Sequence, residues 1–244
     1  MLTELAGAAE IIKVGIEAIN GGWAIVLAQV AMSLKLKVMW DAKLHDVPSR
    51  VAPTIDNIVR CVGPQIITVH ALGSLRMLSW AKMAAERASE ASGNPCQIFG
   101  VTLPTSTDPA DFMALNFDCS NMPKGITPNE QIAYKSAELA FLANVANLDG
   151  VVAPASAIPT IRKTLPALRT IVPGVRPEWA LVGDDDQSQV VTHQEAFAVG
   201  ADYVVIGRPI AEAHRISLAP KEAFERIVRE AEEALEGHNQ DRSG

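Results

Sequence analysis

Val38-Met39-Trp40-Asp41-Ala42-Lys43-Leu44-His45-Asp46-Val47-Pro48 is an apolar run that ends in a carboxylate, with an ammonium two residues on and a second carboxylate three residues further. It reads as a buried strand opening into a loop. On a strand, Asp41 and Lys43 stand at i and i+2 and share a face. Asp46 falls just past the strand end, where a loop can carry it toward the same site or toward a neighbouring molecule. Alternating charges at the mouth of a buried strand are costly to desolvate and seldom serve stability alone. They suit a place where something reactive is held.

The same pattern repeats along the chain. Strand candidates are Glu10 to Val14, Lys37 to Lys43, Gln65 to Ala71, Gln97 to Leu103, Asp149 to Pro154, Leu168 to Pro173 and Asp202 to Gly207. Several are apolar on both parities, as parallel strands covered on both faces are. Helical patterns lie between them at Ala52 to Cys61, Gly73 to Ser92, Asn129 to Asn147, Ile158 to Thr164 and Thr192 to Val199. A strand plus its helix takes roughly 30 residues, the beat of a parallel α/β sheet. No Pro/Ser/Gly-rich linker divides the chain, so residues 1–244 read as a single α/β domain, with a tail at 237–244 expected to fray. The length of 244 residues suits a (β/α)8 TIM-type barrel. Seven strands are legible where such a barrel has eight. Thr3 to Glu10 reads as helix with no strand before it, so the barrel's first strand is expected to be missing at the N-terminus. Pro220 to Glu236 reads as a charged amphipathic helix.

Composition narrows the function. With 48% apolar residues the chain can bury a sizeable core. A net charge of −7 does not favour nucleic acid or an anionic membrane, so neither is expected as a partner. Cys61, Cys96 and Cys119 are scattered and odd in number, which fits reduced thiols in a cytoplasmic protein, and their spacing matches no metal site. No signal peptide is legible. Trp23 to Met32 is apolar but broken by Gln29 and soon followed by Lys35 and Lys37. It is too short to span a bilayer and is expected as a buried helix.

A second motif, Ala201-Asp202-Tyr203-Val204-Val205-Ile206-Gly207-Arg208-Pro209-Ile210, runs a buried strand into glycine and arginine and then into a short helical stretch. In α/β barrels the loops after the last two strands often build a phosphate site. Glycine admits the anion to the backbone, helix N–H groups point at it, and arginine adds a bidentate charge. Val172-Pro173-Gly174-Val175-Arg176-Pro177 offers strand, turn and arginine one unit earlier. The competing reading makes Arg176 and Arg208 surface residues that pair with Asp184, Asp185 and Asp186. That acidic run itself reads as a solvated loop rather than a divalent-cation site.

Taken in order, these segments resemble the orotidine 5′-phosphate decarboxylase family. Asp41, Lys43, Asp46, Val47 and Pro48 match its Asp-x-Lys-x-x-Asp, small apolar residue and proline. Lys13-Val14-Gly15 matches its Lys-Val-Gly, His70-Ala71-Leu72-Gly73 its His-Ala-x-Gly, and Pro104-Thr105-Ser106 approximates its Leu-Thr-Ser. Pro173 to Pro177, Asp186-Gln187 and Ile206 to Pro209 match its Pro-Gly-x-Arg-Pro, Asp-Gln and Ile-Gly-Arg-Pro elements.

The resemblance implies a carboxy-lyase, free of metal and cofactor, that turns orotidine 5′-phosphate into uridine 5′-phosphate in pyrimidine synthesis. It implies a charge network of Lys13, Asp41, Lys43 and Asp46. Lys43 would deliver a proton to C6 and Asp41 would sit against the substrate carboxylate. Asp46 would reach the neighbouring site of a homodimer, and Lys13 would tie the acids together and contact the ribose. Thr105 or Ser106 would address the pyrimidine, while Arg176, Gln187, Gly207 and Arg208 would hold the phosphate. In two places the chain departs from the family. The aspartate of the family's first strand has no counterpart here, and Arg50 stands where the family usually has threonine.

Two other readings share these residues. Relatives that decarboxylate keto-sugar phosphates or make hexulose phosphate also carry Asp-x-Lys-x-x-Asp. They use Mg²⁺, with glutamate at the place of Lys13 and glycine at that of Pro48, so Lys13 and Pro48 favour the pyrimidine. A truncated barrel that binds nucleotide phosphate without turnover is the non-enzymatic reading. Taken without the resemblance, Lys13 is a lysine snorkelling at a strand end. His45 is then a loop histidine with a structural hydrogen bond, and His70 a satisfied buried histidine.

Overall fold

Runs such as Ile66-Ile67-Thr68-Val69-His70 and Gln97-Ile98-Phe99-Gly100-Val101 become strands because β-branched and aromatic residues fit a pleated surface covered on both sides. The computed structural model describes residues 1–180 and 191–241. Its first elements are α1 (Leu2–Leu5), β1 (Ile11–Val14), α2 (Ile16–Asn20), α3 (Ala24–Ser33), β2 (Lys37–Leu44), α4 (Pro48–Cys61), β3 (Ile66–His70), α5 (Leu75–Ser92) and β4 (Gln97–Val101). There follow α6 (Pro109–Ala114), α7 (Pro128–Val145), β5 (Gly150–Val152), α8 (Ile158–Thr164) and β6 (Arg169–Val172). The last are α9 (His193–Ala198), β7 (Tyr203–Val204), α10 (Arg208–Ala211) and α11 (Pro220–Asp241). The described residues thus hold the seven strands predicted, none of them before β1. No helix among them is long and apolar enough to cross a membrane.

The chain divides into two compact units, Met1–Thr102 with Leu139–Val151, and Leu103–Glu138 with Val152–Gly244. In the first unit the strands are hydrogen-bonded in chain order, and β1–β2, β2–β3 and β3–β4 are parallel. The register of β1 on β2 pairs Lys13 with Met39 and Val14 with Trp40, which brings Lys13 beside the charged end of β2. On the helical layer, α4 buries Val51, Ile55 and Val59 at helical spacing, and α5 buries Met77, Leu78, Ala81 and Ala85. Each large side chain so buried is worth roughly 1.5–3 kcal/mol. Lys82 of α5 reaches Asp149 before β5 at 2.8 Å, and the same carboxylate accepts from the Ile98 N–H at 2.8 Å. One ion pair thereby joins a helix to two strands.

Two expectations change here. The helix after β2 begins at Pro48 rather than Ala52. Proline suits a first turn, where its fixed φ helps and its missing N–H costs nothing. The apolar stretch from Trp23 is helical but not buried. Alanines 24, 28 and 31 face inward, while Trp23 and Val26 stay 51% and 61% exposed and Ile25, Val30 and Met32 are exposed too. The tight fit belongs to the small residues, a distinction a hydropathy average cannot make.

In the second unit, β6 and β7 pair in parallel through Ile171–Tyr203 and Val172–Val204. Arg162 of α8 donates to the carbonyls of Gly200 at 2.7 Å and Leu168 at 3.2 Å, and pairs with Asp202. Asp202 in turn accepts from the Thr170 N–H at 2.6 Å, so one arginine–aspartate pair fastens α8 to the starts of β6 and β7. On α11, Glu230 accepts from Trp179 Nε1 at 3.0 Å and Arg226 Nε at 2.9 Å, and lies 3.6 Å from His193 Nε2.

Thiol chemistry reads this packing directly. Cys61 is exposed, whereas Cys96 is buried at the foot of β4, where burial first and Asp149 second push its thiol up to about 12. Only the thiolate attacks a disulfide reagent. Cys61 should therefore react with Ellman's reagent in native buffer and Cys96 only after unfolding; native reaction of Cys96 at the rate of Cys61 would contradict the packing.

Candidate active site

The site begins as an irregularity in β2. Met39 and Trp40 pair with Ile66 and Ile67, but Leu44 then pairs with Val69, so the register shifts between Trp40 and Leu44. Extra residues in one strand bend it and re-aim side chains. Lys43 takes up the bend in the left-handed region, φ 47°, which side-chain-bearing residues seldom adopt. Asp41 and Lys43 do share a side, as i, i+2 spacing predicts, but by way of this bulge rather than a regular pleat.

Asp41 is buried and ionised by its company. Its Oδ2 lies 2.7 Å from Lys43 Nζ and 3.2 Å from Lys13 Nζ, and its Oδ1 accepts from the Thr68 hydroxyl at 2.9 Å. Burial alone would raise its carboxyl. The Lys43 and Lys13 charges and the hydrogen bonds from Lys43 and Thr68 together outweigh that and hold it below the usual carboxylate range. Gly15 matters to this arrangement, because a Cβ there would stand 3.2 Å from Lys13 Nζ. Lys13, Asp41 and Lys43 are thus brought together within one unit.

Asp46 is not part of that cluster. It is exposed, and its Oδ1 accepts from the N–H of Val47 at 2.6 Å at the entry to α4. Hollows of about 280 and 470 Å³ flank the loop; Lys43, His45, Asp46 and Arg50 line the first, and His45, Asp46, Leu72 and Ser74 help line the second. His45 stacks on His70 with ring centroids 5.3 Å apart, and among the described residues its ring makes no hydrogen bond where a structural one was expected. His70 Nδ1 is buried with no hydrogen-bond partner among the described residues, so this histidine is not satisfied as expected. Burial first, then His45 and Lys43, push the His70 imidazole below its usual value and keep it neutral.

The remaining expected residues lie in the second unit. Thr105 is buried and Ser106 exposed just beyond the end of β4. Arg176 is buried, its backbone N–H donating to the Val191 carbonyl at 2.9 Å, beside a bridge between Val175 and Val191. Gly207 caps α10 and Arg208 is its first residue. A Cβ on Gly207 would meet nothing within 4 Å, so the chain's own packing does not require glycine there. Gln187 and the acidic run Asp184 to Asp186 lie outside the described residues. Among those described, no group of three His, Cys, Asp or Glu side chains could hold a metal ion. Sequence reasoning missed Thr68, the buried hydroxyl on Asp41; its only signal was a polar residue inside the apolar run Ile66 to Val69.

The profile of the Orotidine 5'-phosphate decarboxylase / HUMPS family matches residues 1–227. The chain is 36% identical over 203 residues to the orotidine 5'-phosphate decarboxylase of Dichelobacter nodosus, a match spanning 83% of this chain and 80% of that one. Its fold is similar to the crystal structure of orotidine 5'-phosphate decarboxylase from Lactobacillus acidophilus, with a TM-score of 0.68 and 21% identity over 91% of this chain and 98% of that one. It is also similar to the enzyme of Methanocaldococcus jannaschii complexed with inhibitor BMP, with a TM-score of 0.65 and 18% identity over 92% and 87% of the two chains. These likenesses show the α/β fold of TIM-barrel type.

A lowered Asp41 carboxyl has a signed consequence. Its folded-state value lies below the unfolded value of about 3.9, so its stabilising contribution is present above that pH and fades as pH falls through the folded value. Asp41→Asn removes the titration. By urea unfolding, the wild type should exceed D41N in stability near neutrality, and the gap should narrow below about pH 4. A gap that stays constant into acid would mean that Asp41 is not held ionised in this way.

Proposed function

Because the chain belongs to the orotidine 5′-phosphate decarboxylase / HUMPS family, we propose that it converts orotidine 5′-phosphate to uridine 5′-phosphate, with Lys43 as proton donor to C6 and without metal or cofactor. At the coarser level it is a carboxy-lyase, as its relatives over most of the chain are named. The observation that carries the finer reading is one buried carboxylate oxygen shared by two ammonium groups, Lys43 at 2.7 Å and Lys13 at 3.2 Å.

The chemistry follows from charge. As the bond from C6 to the carboxylate breaks, carbon dioxide leaves and the electron pair stays on C6. Lys43 Nζ gives its proton to that carbon and regains one from water. An ammonium fixed in advance where negative charge develops stabilises the transition state more than the substrate. Asp41, beside the substrate's carboxylate, disfavours the ground state. Lys13 keeps Asp41 ionised and contacts the ribose, and Thr105 or Ser106 addresses the pyrimidine. Arg176, Gln187, Gly207 and Arg208 take the phosphate, whose remote binding energy holds the reacting end in place. The open space beside Gly207 supports close approach of an anion there.

In the same reading, residues 1–244 form one barrel domain, cytoplasmic, acting as a two-fold homodimer in which Asp46 serves the neighbouring site. The exposure of Asp46, next to exposed Val47, Leu72 and Leu75, supports a self-complementary face at this loop. The Mg²⁺-dependent sugar-phosphate chemistry of the superfamily is disfavoured by Lys13, a cation in contact with Asp41 where those relatives carry an acid.

The test is loss of orotate absorbance when the purified chain meets orotidine 5′-phosphate in chelator. The wild type should turn over, and Lys43→Ala should lower kcat by about 10³-fold or more. A folded wild type without turnover, or turnover that needs added Mg²⁺, would contradict the proposal.

A further inference from the structure

The bulge that aims Lys43 is closed from the neighbouring strand by one side chain. While β2 advances four residues from Trp40 to Leu44, β3 advances two, from Ile67 to Val69. Thr68 is the residue between, and it is fully buried. Its hydroxyl accepts from the backbone N–H of Lys43 at 2.9 Å and donates to Oδ1 of Asp41 at 2.9 Å. A hydroxyl has one hydrogen to give and lone pairs to receive. Here both capacities go to the two residues of the ion pair, one through its backbone and one through its carboxylate. With Oδ1 engaged, Oδ2 is left to take both ammonium groups.

We propose that Thr68 is a positioning residue: its hydroxyl locks the β2 bulge and the rotation of Asp41, and so sets where the Lys43 ammonium points. The inference rests on the decarboxylase reading for its kinetic readout alone. Valine in place of Thr68 keeps the branched shape that suits the strand and deletes the hydroxyl. The Lys43 N–H then loses its acceptor, at a backbone angle that needs support. Asp41 becomes free to turn and to give each ammonium an oxygen of its own. The charged groups facing Asp41 remain Lys43 on its own strand and Lys13 on β1, with neutral His70 two residues along β3.

The experiment compares Thr68→Val and Thr68→Ser with wild type in steady-state kinetics on orotidine 5′-phosphate, alongside crystal structures of wild type and T68V. A shift of Lys43 of about 1 Å is expected to cost on the order of 10–100-fold in kcat. KM should stay nearly unchanged, because the phosphate contacts lie elsewhere, and T68S should restore kcat. A merely structural threonine would lower stability without this split between kcat and KM. In the T68V crystal, Lys43 should leave the left-handed region or Asp41 should turn. A folded T68V with wild-type kcat overturns the inference. If wild type itself does not turn over orotidine 5′-phosphate, the functional reading fails, and the crystal comparison alone decides: an unmoved Asp41 and Lys43 overturns the positioning role. Should T68V not fold, Thr68→Ala takes its place in both measurements.

Discussion

Asp41 keeps 6% of its surface accessible, and a carboxylate so far removed from water is costly unless charge and hydrogen bonds replace the solvent. The effective penalty is several kcal/mol per ion, so the replacement has to be close and directional. Three consecutive strands supply it. Lys13 comes from β1 through its register against Met39, Lys43 from β2 through the bulge, and the hydroxyl of Thr68 from β3. Parallel order is what makes this possible, since it sets the carboxyl ends of adjacent strands side by side. The left-handed backbone at Lys43 is one cost of meeting the constraint. In the proposed reaction, this arrangement would present a cation already fixed in place to the developing carbanion.

The second unit is tied together by contacts of its own. Arg176 is buried and its backbone is tied to Val191, while Glu230 of α11 holds Trp179 and Arg226. These contacts tie Arg176 and Trp179, which precede residues 181–190, to Val191 and α11, which follow them.

Much of this was legible in the sequence, and the parts that were not have physical reasons. The strand-to-helix beat depends on the periodicity of apolar residues, which is local, so all seven strands appear near their expected places. The Asp41–Lys43 pair was legible because it lies two residues apart. Lys13 was placed beside it only by the family resemblance; its own surroundings in the sequence read as a lysine snorkelling at a strand end, because pairing register is not written locally. Thr68 was not legible as a partner of Asp41, because the bulge that brings it opposite depends on how β2 and β3 pair, and no local pattern encodes a register shift. The inverted burial of α3 escaped for a related reason: the small alanines determine the close approach, while the large side chains dominate any hydropathy average. His45 and His70 were each read singly, and their stacking is a contact between two strand ends.

Asp41, itself nearly out of water, is held ionised by the half-exposed Lys13 and Lys43 and by Thr68. The most direct test of this is a carbon-13 titration of the Asp41 carboxyl by NMR in the folded chain, with Lys43→Ala for comparison. The wild type should show a midpoint below the usual aspartate value of about 3.9, moving upward when Lys43 is removed. A midpoint at or above the ordinary value in the wild type, unmoved by that substitution, would contradict this.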